Sequence, residues 1–210
     1  MLTRKGAATR ARIVGAAAEL IAANGAAQTC LDGIRAATST SKSQLFHYFP
    51  EGKAQLLLAV AHMQADQVLQ DQRPLLEKLD SWEAWEEWRR LILDIYTAKI
   101  EYCPLTALTS HFPKNDPAIR ALISDFFERW QAYLAQGIGL MQARGDLDAT
   151  ADSRRLAMAI LAAVQGGVAM GQATGSLQAL EVALDVALEH LRTFATPGSQ
   201  PVPHSRASSS

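Results

Sequence analysis

TCLDGIRAATSTSKSQLFHYF, residues 29–49, is the stretch on which the reading of this chain turns. It parses into two short helices joined by a polar turn, Ser39-Thr40-Ser41, whose hydroxyls can bind free backbone groups. Thr29 is the candidate N-cap of the first helix, with Asp32 three residues on to complete a capping box. Leu31 and Ile34 supply the apolar face of that helix. The second helix is expected to start near Ser41, to expose Lys42, Ser43, Gln44 and His47, and to turn Leu45 and Phe46 inward. A short helix with a polar, partly basic outer face, held at an angle by another helix, is the element that enters a DNA major groove.

Working outward, Ile13, Ala16, Ala17, Leu20 and Ile21 recur at helical spacing. Residues 9–24 are therefore expected as an amphipathic helix, stopped at Asn24-Gly25. Downstream, helices are expected over residues 51–72, 82–102, 117–143, 151–173 and 177–194. Pro74 should end or kink the first of these, Ser81 should cap the second, and Pro117 suits the first turn of the third. No alternating run suggests a strand. The expectation is an all-α chain of nine helices with an N-terminal three-helix helix-turn-helix domain. Residues 196–210 are dominated by Pro, Gly and Ser, can bury almost nothing, and are expected to be disordered.

The ordered set of signals over residues 9–56 resembles the DNA-binding domain of TetR-type transcriptional regulators. The matching pieces are TRARIVGAAAELIAANG (9–25), TCLDGI (29–34) and SKSQLFHYFPEGKAQLL (41–57), with the FHYF run followed by a lysine four residues later as the most specific. The chain departs from the family pattern in three places. Ser39 and Thr40 stand where Gly and Val are usual, Phe46 replaces a Tyr, and EGK (51–53) replaces the commoner Ser-Lys-Glu. Gln44 can pair with adenine and Lys42 can reach guanine acceptors, while Ser43 and His47 share their outer face. The resemblance implies that Tyr48 contacts phosphate and that Thr29, Thr40 and Lys53 clamp the DNA backbone. Arg4, Lys5 and Arg10 could add contacts from an N-terminal arm. Phe46 and Phe49 are expected in the core.

Composition is compatible with that reading. Hydrophobic residues make up 49% of the 210 and charged residues 20%, as in a soluble globular protein. The net charge of −1 conceals an asymmetry. Residues 1–53 carry seven basic residues against three acidic, a net +4, and the rest carries 13 against 18, a net −5. No signal-peptide pattern opens the chain, and the longest apolar run, 156–170, is interrupted by Gln165 and expected to be too short for a bilayer. A cytoplasmic protein is expected. Cys30 and Cys103 fall in different expected domains, which argues against a disulfide framework. His47, His62, His111, His190 and His204 show no metal-ligand spacing, and neither a metal nor a cofactor is expected.

The expected domains are a DNA-binding domain (1–53), a helical effector-binding and dimerisation domain (54–195) and the tail (196–210). Residues 156–170 are apolar nearly all round, and Leu180, Leu184, Ala187, Leu188 and Leu191 form a stripe on the last helix. The family resemblance implies that these two helices pair across a two-fold axis to make a homodimer. An intramolecular core is the other reading of the same pattern. CPLTAL (103–108) and PAIRALISDFFERWQAYL (117–134) resemble the C-terminal domain of the LmrA/YxaF-like branch, where a Cys-Pro segment breaks a helix beside the ligand cavity. Thr106 and His111 depart from that branch's pattern. The candidate ligand-binding residues are Trp88, Tyr96, Cys103, His111, Phe127 and Trp130, with ordinary core packing as the alternative. The resemblance thus implies a non-enzymatic repressor of an operator in double-stranded DNA, released by a small, largely apolar or aromatic effector, with no membrane partner. An activator or a ligand-independent regulator would share every DNA-side feature. An all-α enzyme using Cys103 is the remaining alternative, although no nucleophile–base pair or phosphate loop stands in the sequence.

Overall fold

The structure, a computed structural model, describes residues 3–99 and 116–197. Eight helices stand among these residues: α1 (Arg4–Gln28), α2 (Leu31–Thr38), α3 (Lys42–Tyr48), α4 (Lys53–Leu76), α5 (Trp82–Lys99), α6 (Pro117–Ala143), α7 (Ser153–Thr174) and α8 (Gln178–Arg192). The fold is all-α, with no strand among the described residues beyond a single bridge between Leu147 and Ala195. Nine helices were expected, and residues 100–115, where Cys103 and His111 fall, lie outside the described residues.

The chain forms two compact units. Among the described residues, one takes in residues 3–69 with 116–126, and the other 70–99 with 127–197. Compactness divides α4 near Leu69. The first turns of α4 bury Leu56, Leu57, Val60 and Ala61, which places them in the core of the first unit.

Helix ends follow local chemistry, with several shifts from expectation. α1 starts at Arg4 because the Thr3 hydroxyl accepts from Gly6 N–H at 3.2 Å, so Arg4 and Lys5 are the first helical turn and not an arm. Its regular course ends at Gly25, whose φ of 79° is left-handed and open to glycine. α4 runs past Pro74 to Leu76, two residues beyond the expected break. The Asp116 carboxylate accepts from Ala118 and Ile119 N–H and starts α6, and Asp152 does the same for α7 through Arg155 N–H. Gly145 (φ 80°) and Gly175 (φ 71°) close α6 and α7.

In the second unit the core is built from Trp85, Trp88, Ile92, Trp130, Leu134 and Met141, all essentially closed to solvent. The Trp88 indole N–H donates to buried Gln72 at 3.0 Å, satisfying two polar groups removed from water. α7 and α8 pack closely over their length. Two ion pairs tie α8 to α5: Arg89–Asp185 at 2.5 Å and Arg192–Glu86 at 2.6 Å. Both are part-exposed, so each contributes at most about 1 kcal/mol. α7 is 22 residues long and apolar enough by length and composition to cross a membrane, contrary to the expectation that this run is too short. The apolar run 156–170 is shorter than the helix that carries it, Ser153–Thr174. About 44% of its apolar window is buried inside the chain. The segment after α8 is also ordered further than expected. Thr196 donates from its N–H to Asp146 O at 3.1 Å and from its hydroxyl to Gly145 O at 2.6 Å. The rest of the expected disordered tail, from residue 198, lies outside the described residues.

Candidate nucleic-acid interface

α2 and α3 are held by side-chain and backbone caps, an ion pair and a bond from α1. Cys30, not Thr29, caps α2, with Gly33 N–H donating to its Sγ at 3.4 Å. The expected capping box fails because Thr29 is committed to the end of α1: its N–H and its hydroxyl both donate to Gly25 O, at 3.2 and 2.9 Å. Asp32 pairs instead with Arg35 at 2.7 Å. At the other end of α2, Thr40 N–H donates to Arg35 O at 3.0 Å and Ser39 N–H to Ala36 O at 3.3 Å, closing a Schellman-type cap. Arg12 of α1 donates to the Thr38 carbonyl there. Ser41 then caps α3, accepting from Gln44 N–H at 3.1 Å.

Ser39 sits at φ 50°, ψ 38°, the only non-glycine residue with positive φ among those described. A left-handed L-residue costs roughly 1–2 kcal/mol, part of which glycine recovers. Ser39→Gly should therefore stabilise the protein by about 0.5–1 kcal/mol, read as a raised denaturation midpoint at unchanged slope. An unchanged or lowered midpoint would show that the turn is not strained.

Inside this frame Leu45 and Phe49 are fully buried, and the Arg10 guanidinium lies 5.2 Å from the Phe49 ring centroid. Arg10 lies within α1 and is not part of an arm. Burying positions 45 and 49 forces the opposite face of α3 outward. Lys42, Ser43, Gln44 and His47 are all exposed, and none of their side chains makes a hydrogen bond or ion pair among the described residues. His47 touches Tyr48 edge to face at 5.0 Å, and Tyr48 is half-buried. Lys53 opens α4 and donates from Nζ to Ala27 O at 3.3 Å, leaving two of its three donors unused.

Three residues do not stand where they were expected. Thr29 and Thr40 are buried. The Thr40 hydroxyl donates to Thr38 O at 3.3 Å, so the N–H and O–H donors of both threonines are already spent within the fold and cannot clamp a phosphate. Phe46 is 38% exposed instead of buried. The inward phase of α3 is taken by Leu45 and Phe49, which leaves Phe46 on the flank of the polar face. Nothing in an aromatic-rich run announces which ring points out.

Of the candidate ligand residues, Trp88, Tyr96 and Trp130 are buried and Phe127 is half-buried. Cys103 and His111 lie outside the described residues. Two open grooves, of about 450 and 550 Å³, flank the α6–α7 turn and the α6–α7 packing seam, and neither is lined by any of these residues. His62 is exposed.

The stripe of Leu180, Leu184, Leu188 and Leu191 is buried within the chain and does not form a free face. Gly167 explains the fit: a Cβ there would stand 2.5 Å from Leu180 Cα, so α7 and α8 touch backbone to backbone. The free apolar face is in the other phase. Met158 (51% exposed), Met170 (59%), Val182 (55%) and Val186 (59%) point outward, beside exposed Ala162 and Ala169. From Leu156 to Thr174 there is no charged residue.

A buried-core helix pair that presents a short, capped third helix with a free polar face defines a helix-turn-helix DNA-binding protein. Residues 13–60 match the family model for bacterial regulatory proteins of the tetR family, and residues 92–187 match that for the tetracyclin repressor-like C-terminal domain. The chain belongs to the TetR family and is a DNA-binding transcriptional regulator. Among solved structures, it is similar to a TetR transcriptional regulator from Chloroflexus aurantiacus (25% identity, 92% of this chain and 98% of that one covered, TM-score 0.68). It is also similar to a TetR-family regulator from Cytophaga hutchinsonii (17%, 93% and 98%, 0.74). A third relative is SmeT, the repressor of the Stenotrophomonas maltophilia multidrug efflux pump SmeDEF, in its triclosan complex (19%, 94% and 100%, 0.64). None of the curated proteins matches the chain in sequence.

Proposed function

We propose that the chain is a homodimeric repressor whose α3 reads a two-fold symmetric operator and whose second unit takes a small, largely apolar or aromatic effector that releases the DNA. The observation that carries the DNA half is the outward face of α3, with Lys42, Ser43, Gln44 and His47 unbonded above a closed core. Lys53 and Tyr48 supply phosphate contacts beside it. The exposed apolar face of α7, which carries no charge from Leu156 to Thr174, with Val182 and Val186 of α8 beside it, supports the dimer, because such a surface is stable in water when a second copy covers it. Two indole N–H groups, of Trp82 and Trp85, are buried without a hydrogen-bond partner among the described residues. An effector bearing an acceptor oxygen would satisfy such a donor, and the triclosan complex of SmeT is a precedent in the same fold. Release requires that the effector bind one state better than the other, by a coupling of typically about 1–3 kcal/mol.

Gln44 and Lys53 separate reading from clamping. Gln44→Ala should weaken binding to the selected site by about 1–3 kcal/mol and leave random DNA nearly unchanged. Lys53→Ala should weaken both alike and lower the salt slope by about one. Fluorescence anisotropy over a salt series measures both. Equal losses on specific and random DNA for the two variants would remove the base-reading role of Gln44.

A further inference from the structure

Phe46 is the only aromatic side chain among the exposed large apolar residues of the described chain, at 38% exposure, and it lies on the reading helix. The ring is not loose. A Cβ built on Gly52 would lie 3.7 Å from Phe46 Cε1, which places one ring edge over the buried Gly52 and leaves the other edge outward. At 100° per residue, Ser43 and His47 point directly away from buried Leu45, with Phe46 on one flank and Gln44 on the other. A phenyl ring has no donor for a phosphate and no acceptor for a base edge. The one apolar feature of a major-groove floor is the 5-methyl group of thymine.

We propose that Phe46 reads that methyl group, making thymine preferred over every base without it at one position of each half-site. The proposal rests on α3 being the DNA-reading helix and adds a base identity to it. Because Gly52 already seats the ring, little side-chain freedom is lost when it meets the methyl. Removing one buried methyl corresponds to about a fourfold loss in affinity, and to about fifteenfold when both half-sites lose it.

The test uses the full-length protein and the duplex it selects from a random pool, with thymines replaced one at a time by deoxyuridine, which lacks only the methyl. Wild type should lose about fourfold at one thymine per half-site. Phe46→Ala and Phe46→Gln should bind the thymine duplex correspondingly more weakly and be indifferent to uracil at that position, while keeping any uracil sensitivity elsewhere. Thermal melts identify any variant that is unfolded, and the other then decides. The proposal is overturned if wild type ignores every uracil, or if a folded variant keeps the wild-type preference at every position. Selection of no duplex at all would overturn the DNA-reading assignment itself, a different and separable failure.

Discussion

Met170→Glu combined with Val186→Glu is expected to give a folded monomer that binds operator DNA at least about a hundredfold more weakly than wild type. Both side chains are more than half exposed in the single chain, so the substitutions cost the protomer little on their own, within about 0.5 kcal/mol for ordinary surface sites. In a dimer covered through this face, four carboxylates would be driven into an apolar contact. Burying unpaired charge costs several kcal/mol per group in real proteins, more than the contact can return. Loss of the pair then removes the second recognition helix from each operator. The second contact of a linked pair raises affinity by about 10²–10⁴ without any change at the first. Sedimentation velocity and DNA titration should therefore change together, with the circular dichroism melt nearly unmoved. A double variant that stays dimeric would place the interface elsewhere.

Gly167→Ala is expected to destabilise the second unit strongly, by about 3 kcal/mol. The added carbon would lie 2.5 Å from Leu180 Cα and 3.1 Å from Leu180 Cβ. The nearest atom is backbone of α8, so no side-chain rotation relieves it, and the helices must part along the contact that buries Leu180, Leu184 and Leu188. For a protein of this size 1 kcal/mol moves Tm by about 2–4 °C, so a fall of roughly 6–12 °C is expected. Gly166, one residue earlier, has nothing within 4 Å of a built Cβ. Gly166→Ala is the internal control: in the isolated chain it should be neutral or stabilising, since alanine is the better helix former. Equal effects at the two glycines would contradict the close crossing.

Much of this architecture could be read before any coordinates. The start of α3 near Ser41, the burial of Leu45 and Phe49, and the helix starts at Ser81 and Pro117 all rest on chemistry within a few residues. The misreadings arose where one signal had two possible users. Thr29 had the right chemistry to cap α2, but the end of α1 at Gly25 claimed both its donors. On α8 the leucines and the valines make two apolar faces, and periodicity cannot say which one meets α7. Gly167 decides it, because its phase on α7 matches Leu180 and leaves Val182 and Val186 outside. Phe46 and Phe49 are indistinguishable by type and differ only in their angle from Leu45. Apolar residues on two faces of a helix signal both a core and a partner, and assigning them requires knowing what lies against each face.

The proposed repressor depends on α3 as a reading head, presented twice by two copies of the chain. Selection of bound duplexes from a random pool by the purified protein, followed by sequencing, measures this most directly. An inverted repeat is expected, its half-sites one DNA turn (roughly 34–36 Å) or a multiple apart, and Gln44→Ala should blur specific positions in both halves. Recovery of sequences no different from the starting pool, or of a site whose information Gln44→Ala leaves untouched, would contradict it.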